Sequence, residues 1–209
     1  MISIDPKQCA VMAVDMQNDF CHRDGHYGRS GEDISKFIAT IDPVARLIAR
    51  ARSAGATIAF TRLVYDSSAG TIEQRHRIKP RNWIPKGRRL QPGSWGAAVI
   101  DALAPAPDDI VVDKPAYSAF EATDLEMRLR QRGVTTLVLC GVVTYACVLA
   151  TAFSGFDKGF DVLLARDATG SWIDELGSAT CKIVDLLMGQ SVTCDEIEFA
   201  RSEQNAAHG

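Results

Sequence analysis

Residues 134–171, VTTLVLCGVVTYACVLATAFSGFDKGFDVLLARDATGS, decide how this chain is read. Val134–Cys140 is an apolar run of strand length. A tight turn follows, then a nearly all-apolar helix, then a second apolar run, Asp161–Asp167. Strands that are apolar on both faces and joined through a helix belong to a parallel sheet covered by helices. Cys147 falls where the turn becomes the helix. Backbone N–H groups at a helix start are unpaired and partially positive, so a thiolate is stabilised there and a developing oxyanion finds donors.

Outward from that unit the same alternation recurs. QCAVMAVD (Gln8–Asp15) is a strand apolar on both faces and ending in an acid, and the polar MQNDFCHRDGHYGRSG after it reads as a loop. Asp42-Pro43 reads as an N-cap and first helical residue, with Val44, Leu47, Ile48 and Ala51 at helical spacing and a stop at Gly55. ATIAFTR (Ala56–Arg62) is the second strand, and DIVVDK (Asp109–Lys114), closed by a proline, is the third. Between them, residues 63–93 form a long connection that holds Arg75, Arg77, Lys79, Arg81, Lys86, Arg88 and Arg89. These charges suit a solvated face, or one arginine reaches an anionic substrate. GSWGAAVIDAL reads as a short helix capped by Ser94. ATDLEMRLRQRG reads as an amphipathic helix with a capping box, Thr123 and Glu126, and a stop at Gly133. IDELGSATCKIVDLLMGQ is a helix before a short last strand, SVTC.

The order βαβαβαβαβα predicts an α/β fold, a single-domain, doubly wound parallel sheet over residues 1–209 with helices on both faces and a flexible tail at 201–209. Ligands of such sheets bind beyond the carboxyl ends of the strands, where the strand order reverses. Asp15, Lys114 and Cys147 all fall at or just past such ends. That coincidence argues that they form one site.

Composition narrows the functions. A net charge of −3 offers nothing to attract nucleic acid or an anionic membrane surface, and no apolar run reaches membrane-spanning length. The start, MISIDPKQC, lacks the features of a signal peptide, so a cytoplasmic protein with reduced thiols is expected. The six cysteines form no C-x-x-C pair and no zinc-finger spacing. Cys9, Cys140, Cys181 and Cys194 read as small buried hydrophobes. His22 and His26 read as solvated loop residues. Nucleotide-binding glycine patterns are absent after the first strand.

A thiol needs help to react at neutral pH. A carboxylate can take its proton, and a lysine near both keeps the carboxylate ionised and favours the thiolate. The chemistry these groups support is acyl transfer to water through a thioester on Cys147, with Asp15 as general base.

VMAVDMQNDFC, VVDKPAYSAF and LVLCGVVTYACVLATAFSGFDKGFDVLLARDATGS together resemble the three motif blocks of the isochorismatase-like cysteine hydrolases, over most of the chain. The resemblance implies Asp15 as catalytic acid, Lys114 as catalytic lysine and Cys147 as nucleophile. It implies strand order 3-2-1-4-5-6 and a cis peptide at Val142–Val143, which aims the N–H groups of Val143 and Cys147 at a substrate carbonyl. Members of this superfamily hydrolyse nicotinamide, N-carbamoylsarcosine, ureidoacrylate, biuret or isochorismate. The metal-binding Asp-x-His of nicotinamidases has no counterpart in FTRLVYD, which disfavours that activity and a bound metal. A retained Cys147 favours amide over vinyl-ether cleavage, and GSW, KPAYSAF and ATDLE look closest to the ureido and carbamoyl branch. The expected protein is a cofactor-free amidohydrolase acting on a small amide or ureido substrate. Isochorismatase-type ether hydrolysis and a non-catalytic ligand-binding member are the alternatives.

The turn GVVTYAC departs from the common GVATNVC, and Tyr145 is expected to reshape the pocket. Arg62 is a candidate for a substrate carboxylate or ureido oxygen, and Phe20, Trp95, Tyr117 and Phe120 are candidate pocket walls. The helix after Cys147, apolar on nearly all faces, predicts a homo-oligomer, a dimer or tetramer.

Overall fold

Cys9–Val14 is apolar at every position, and all six side chains are fully buried. Successive strand side chains point to opposite faces, so both faces of the sheet are covered at this strand. The computed structural model describes residues 1–65 and 89–200. Its strands are β1 (Ile2–Ile4), β2 (Cys9–Val14), β3 (Thr57–Leu63), β4 (Ile110–Lys114), β5 (Thr136–Val142), β6 (Asp161–Gly170), β7 (Gly189–Val192) and β8 (Ile197–Phe199). Six of them form one sheet, β4-β3-β2-β5-β6-β7, with every pair parallel. With β1 set aside this is the 3-2-1-4-5-6 order. β1 and β8 pair separately, three residues each, too short to register as periodicity in the sequence.

The sheet is flanked by α4 (Ile41–Ala54), α5 (Leu125–Gln131), α6 (Leu149–Asp157) and α7 (Asp174–Leu187), with the short α1 (Asn18–Cys21), α2 (His26–Arg29) and α3 (Ser35–Ala39) between β2 and α4. α4 buries Val44, Leu47, Ile48 and Ala51 and ends at Gly55 in the left-handed region, φ +83°. No helix among the described residues is long and apolar enough to cross a membrane.

Several local expectations shift. α4 starts at Ile41 with Thr40 as its cap, because α3 runs almost directly into it; Asp42 and Pro43 sit inside its first turn. The loop after β2 contains α1 and α2, and His26 is buried there, edge-on to Tyr27. The Thr123–Glu126 capping box does not form. Asp124 is the cap of α5, and the Thr123 hydroxyl donates to the Ala119 carbonyl at 2.6 Å. The segment after Ser94 is a series of turns, a bridge between Val99 and Gln17, and a 3-10 turn at Asp101–Leu103. Its carbonyls are taken by α1: Asn18 N–H donates to Ala98 O (3.0 Å) and Asp19 N–H to Gly96 O (2.9 Å). A continuous helix would withdraw those acceptors. Arg75, Arg77, Lys79, Arg81, Lys86 and Arg88, and the tail 201–209, lie outside the described residues.

From β2 the chain order runs one way through β3 and β4 and the other way through β5, β6 and β7. The reversal opens a crevice beyond the carboxyl ends of β2 and β5. Gly141 makes their close approach there feasible: its φ is +104°, and a Cβ would lie 2.2 Å from the Val14 carbonyl oxygen.

Candidate active site

Asp15 is the first residue past β2, and its φ of +52° places it in the left-handed region, which few non-glycine residues enter. β3 holds it there. Its amide donates to the Thr61 carbonyl at 3.1 Å, and the Thr61 hydroxyl donates to its Oδ1 at 2.7 Å. Lys114, the last residue of β4, reaches across the end of β3 so that Nζ lies 2.8 Å from Asp15 Oδ2. The ammonium also donates to the carbonyls of Ala116 and Tyr117, each at 3.0 Å. Both side chains are fully buried. A buried ion pair persists only where such extra hydrogen bonds offset the loss of water.

Cys147 stands inside a π-helical turn, Thr144–Val148, that joins β5 to α6. Short π turns of this kind recur at functional sites. The Val142–Val143 peptide is cis. The Val143 carbonyl accepts N–H groups from Ala146 (3.0 Å) and Val148 (3.3 Å), on either side of Cys147. The thiol is 3% exposed and lies within hydrogen-bonding reach of both Asp15 and Lys114.

The electrostatics differ from a preformed thiolate at a helix start. Burial pushes the Cys147 thiol well above its ordinary range, the Asp15 charge adds to that, and Lys114 only partly opposes it. Burial alone would lower the Lys114 ammonium, but Asp15 and Cys147 outweigh it and hold the group charged above its usual range. The resting arrangement is a neutral thiol beside a carboxylate–ammonium pair.

Around this centre the predicted residues separate. Tyr117 joins it through its carbonyl, which accepts from Lys114, and its phenol is pushed up by burial and by Cys147. Tyr145, two residues before the thiol, is partly buried and within electrostatic range of Tyr117. Phe20 stacks on Tyr27 at 5.1 Å, and Phe120 stacks on Phe160 at 5.8 Å beneath Gly155 of α6, both in the core. Trp95 is half exposed and meets the His22 ring edge-on. Arg62 does not join the centre. It follows Thr61 in β3 and so faces the other way, where it pairs with Asp113 through Nε (2.6 Å) and Nη2 (3.0 Å).

Three positioning residues escaped the sequence reading. Thr61 is an ordinary strand residue by type. Gln17 is fully buried: its amide oxygen accepts the Leu63 N–H (2.9 Å), and its NH₂ donates to the carbonyls of Leu63 (3.0 Å) and Ala97 (2.8 Å). Asp19 accepts the N–H groups of His26 (2.9 Å) and Leu90 (2.7 Å). Only the concentration of polar residues directly after an apolar strand marked Gln17 and Asp19. Arg89, one of seven cations in the long connection, is buried beside the Tyr65 ring. Among the described residues no cluster of His, Cys, Asp and Glu could hold a metal ion, and all six cysteines are free.

The isochorismatase domain profile matches residues 9–195. A ureidoacrylate amidohydrolase, RutB, of Methylobacterium radiotolerans is 36% identical over 80% of this chain and 69% of its own. A cysteine hydrolase from Pseudomonas syringae superposes with a TM-score of 0.81 at 27% identity, covering 94% of this chain and 93% of that one. The N-carbamoylsarcosine amidase of Thermoplasma acidophilum superposes with a TM-score of 0.74 at 27% identity, over 91% and 99%.

Proposed function

The chain belongs to the isochorismatase family, and within it we propose that the protein is a cysteine amidohydrolase cleaving the C–N bond of a small ureido or carbamoyl compound. The observation that carries this reading is the buried contact of Asp15, Lys114 and Cys147 at the point where the strand order reverses. The names of its relatives, a ureidoacrylate amidohydrolase and an N-carbamoylsarcosine amidase, point to the same bond.

Asp15 takes the thiol proton as Cys147 Sγ attacks the carbonyl carbon, and Lys114 holds the charge that moves between carboxylate and sulfur. The N–H groups of Val143 and Cys147 receive the oxyanion. Collapse breaks the C–N bond, and Asp15 returns the proton to the departing ammonia or amine, leaving an acyl group on Cys147. Water, deprotonated by Asp15, then attacks that thioester; the thiol is reprotonated and the acid product leaves. The neutral resting thiol suits this order, because the proton moves only when substrate supplies the electrophile. Carboxylate, ammonium and thiol provide base, charge and nucleophile, so the scheme calls on no metal ion or cofactor. Tyr117, whose phenol feels Cys147, and Tyr145 next to it shape the space for the leaving group.

Incubation with 3-ureidoacrylate, N-carbamoylsarcosine and biuret, read by ammonia release and by intact mass, tests the reading. Ammonia from at least one, with an acyl adduct on Cys147, is the expected result. Silence with all three, or turnover of isochorismate instead, overturns it.

The protein acts as a homo-oligomer. α6 buries Thr151, Ala152 and Gly155 against its own sheet but leaves Phe153 and Phe156 about two-fifths exposed, and Ile173 at the cap of α7 and Leu176 in its first turn are similarly bare. Apolar surface of this kind is covered when copies associate. Light scattering should return the mass of two or four chains; the 22.7 kDa of one chain would contradict the assignment.

A further inference from the structure

Thr61 makes three contacts with Asp15, and the chemistry of the groups fixes the direction of each. The Asp15 amide N–H donates to the Thr61 carbonyl oxygen at 3.1 Å and to its hydroxyl oxygen at 3.2 Å. A threonine hydroxyl has one proton and two lone pairs. With one lone pair committed to that amide, its proton is left for Asp15 Oδ1 at 2.7 Å, the length of a charge-assisted bond. Thr61 has little freedom to do otherwise. Its side chain is fully buried and β-branched, and its strand is paired on both sides, with Thr61 opposite Val14 of β2 and Val112 of β4.

The two oxygens of Asp15 are therefore unlike. Oδ1 is held by a hydroxyl donor. Oδ2 accepts no hydrogen bond among the described residues and stands 2.8 Å from the Lys114 ammonium. A proton placed on Oδ1 would turn the acceptor of the Thr61 bond into a hydroxyl oxygen, a poorer one. A proton placed on Oδ2 leaves that bond intact.

We infer that Thr61 is a positioning residue that reserves Oδ2 of Asp15 as the proton carrier in both halves of the reaction. The assignment rests on Asp15 being the base of the proposed chemistry. As the Sγ–H bond of Cys147 breaks, its proton passes to Oδ2, while Sγ bonds to the substrate carbon and the carbonyl π pair moves to oxygen. When that pair returns and the C–N bond breaks, the same proton leaves Oδ2 for the departing nitrogen. The carboxylate does not turn between the two transfers, because Thr61 still holds Oδ1.

The rate at which iodoacetamide alkylates Cys147, read on its peptide by mass spectrometry in the intact protein, reports base assistance to the thiol without a substrate. Each variant is measured well below its own unfolding midpoint. Thr61→Val keeps the shape and the carbonyl but loses the hydroxyl, and should slow alkylation about 10- to 100-fold. Thr61→Ser restores the donor and should recover most of that rate. In an Asp15→Asn background, Thr61→Val should change the rate by about twofold at most, since the base is already gone. An equal loss in both backgrounds would make Thr61 a structural residue only. That result, a Thr61→Val protein alkylated as fast as the native one, or a Thr61→Ser protein as slow as Thr61→Val, overturns the inference. On any amide turned over, Thr61→Val should lower kcat and leave KM nearly unchanged. Ammonia release without this alkylation pattern would defeat the Thr61 assignment alone, and the pattern without ammonia release would defeat the amidohydrolase reading alone.

Discussion

Cys147→Ala should lower ammonia release by about 10⁴-fold or more, the scale seen when a covalent nucleophile is removed. It should do so with little loss of fold. The thiol is one buried heavy atom, and its loss costs about 1 kcal/mol in transfer and cavity terms. Lys114 keeps Asp15 and the carbonyls of Ala116 and Tyr117, so no charge is orphaned. Asp15 likewise keeps Thr61. Steady-state ammonia release beside thermal unfolding separates the two effects. Turnover of the same substrate by Cys147→Ala at more than a trace would remove the nucleophile assignment, whatever the melting temperature.

Lys114→Met should behave oppositely, losing activity and stability together. It leaves the Asp15 carboxylate in a fully enclosed site without its cation, and breaking a buried pair from one side costs about 3–5 kcal/mol. Asp15→Asn combined with Lys114→Met removes both charges. Asparagine tolerates the left-handed conformation that residue 15 adopts and can still accept the Thr61 hydroxyl. The double variant should therefore recover most of the lost stability and none of the activity. Urea unfolding of the two variants beside the native protein measures this. A Lys114→Met protein as stable as the native one would mean that the pair is not the enclosed charge couple described here.

The sheet was readable because its strands are apolar on both faces and end abruptly: Asp15 after Val14, Lys114 before Pro115, and a tight turn after Val142. Those terminations also exposed the three central residues, since the chain has little other reason to place an acid, a lysine and a cysteine at that edge. What remained hidden depends on partners distant in sequence. The Thr61 hydroxyl faces Asp15 while its neighbour Arg62 faces Asp113, a difference of one residue in a strand whose depth in the sheet was unknown. The residues after Ser94 have helical spacing, yet their carbonyls serve α1, a requirement from more than 70 residues earlier in the chain. The raised thiol likewise follows from enclosure: position at a helix start argues for a thiolate, and burial reverses the sign.

The stems of the long connection carry a consequence for engineering. Tyr65 and Leu90 are joined by a 2.9 Å hydrogen bond, and Gln17 and Asp19 tie both stems to the segment after β2. Both stems are thus fixed to the scaffold by residues outside the connection, so exchanging the chain between them for that of a relative leaves in place the contacts that hold the Asp15–Lys114 couple.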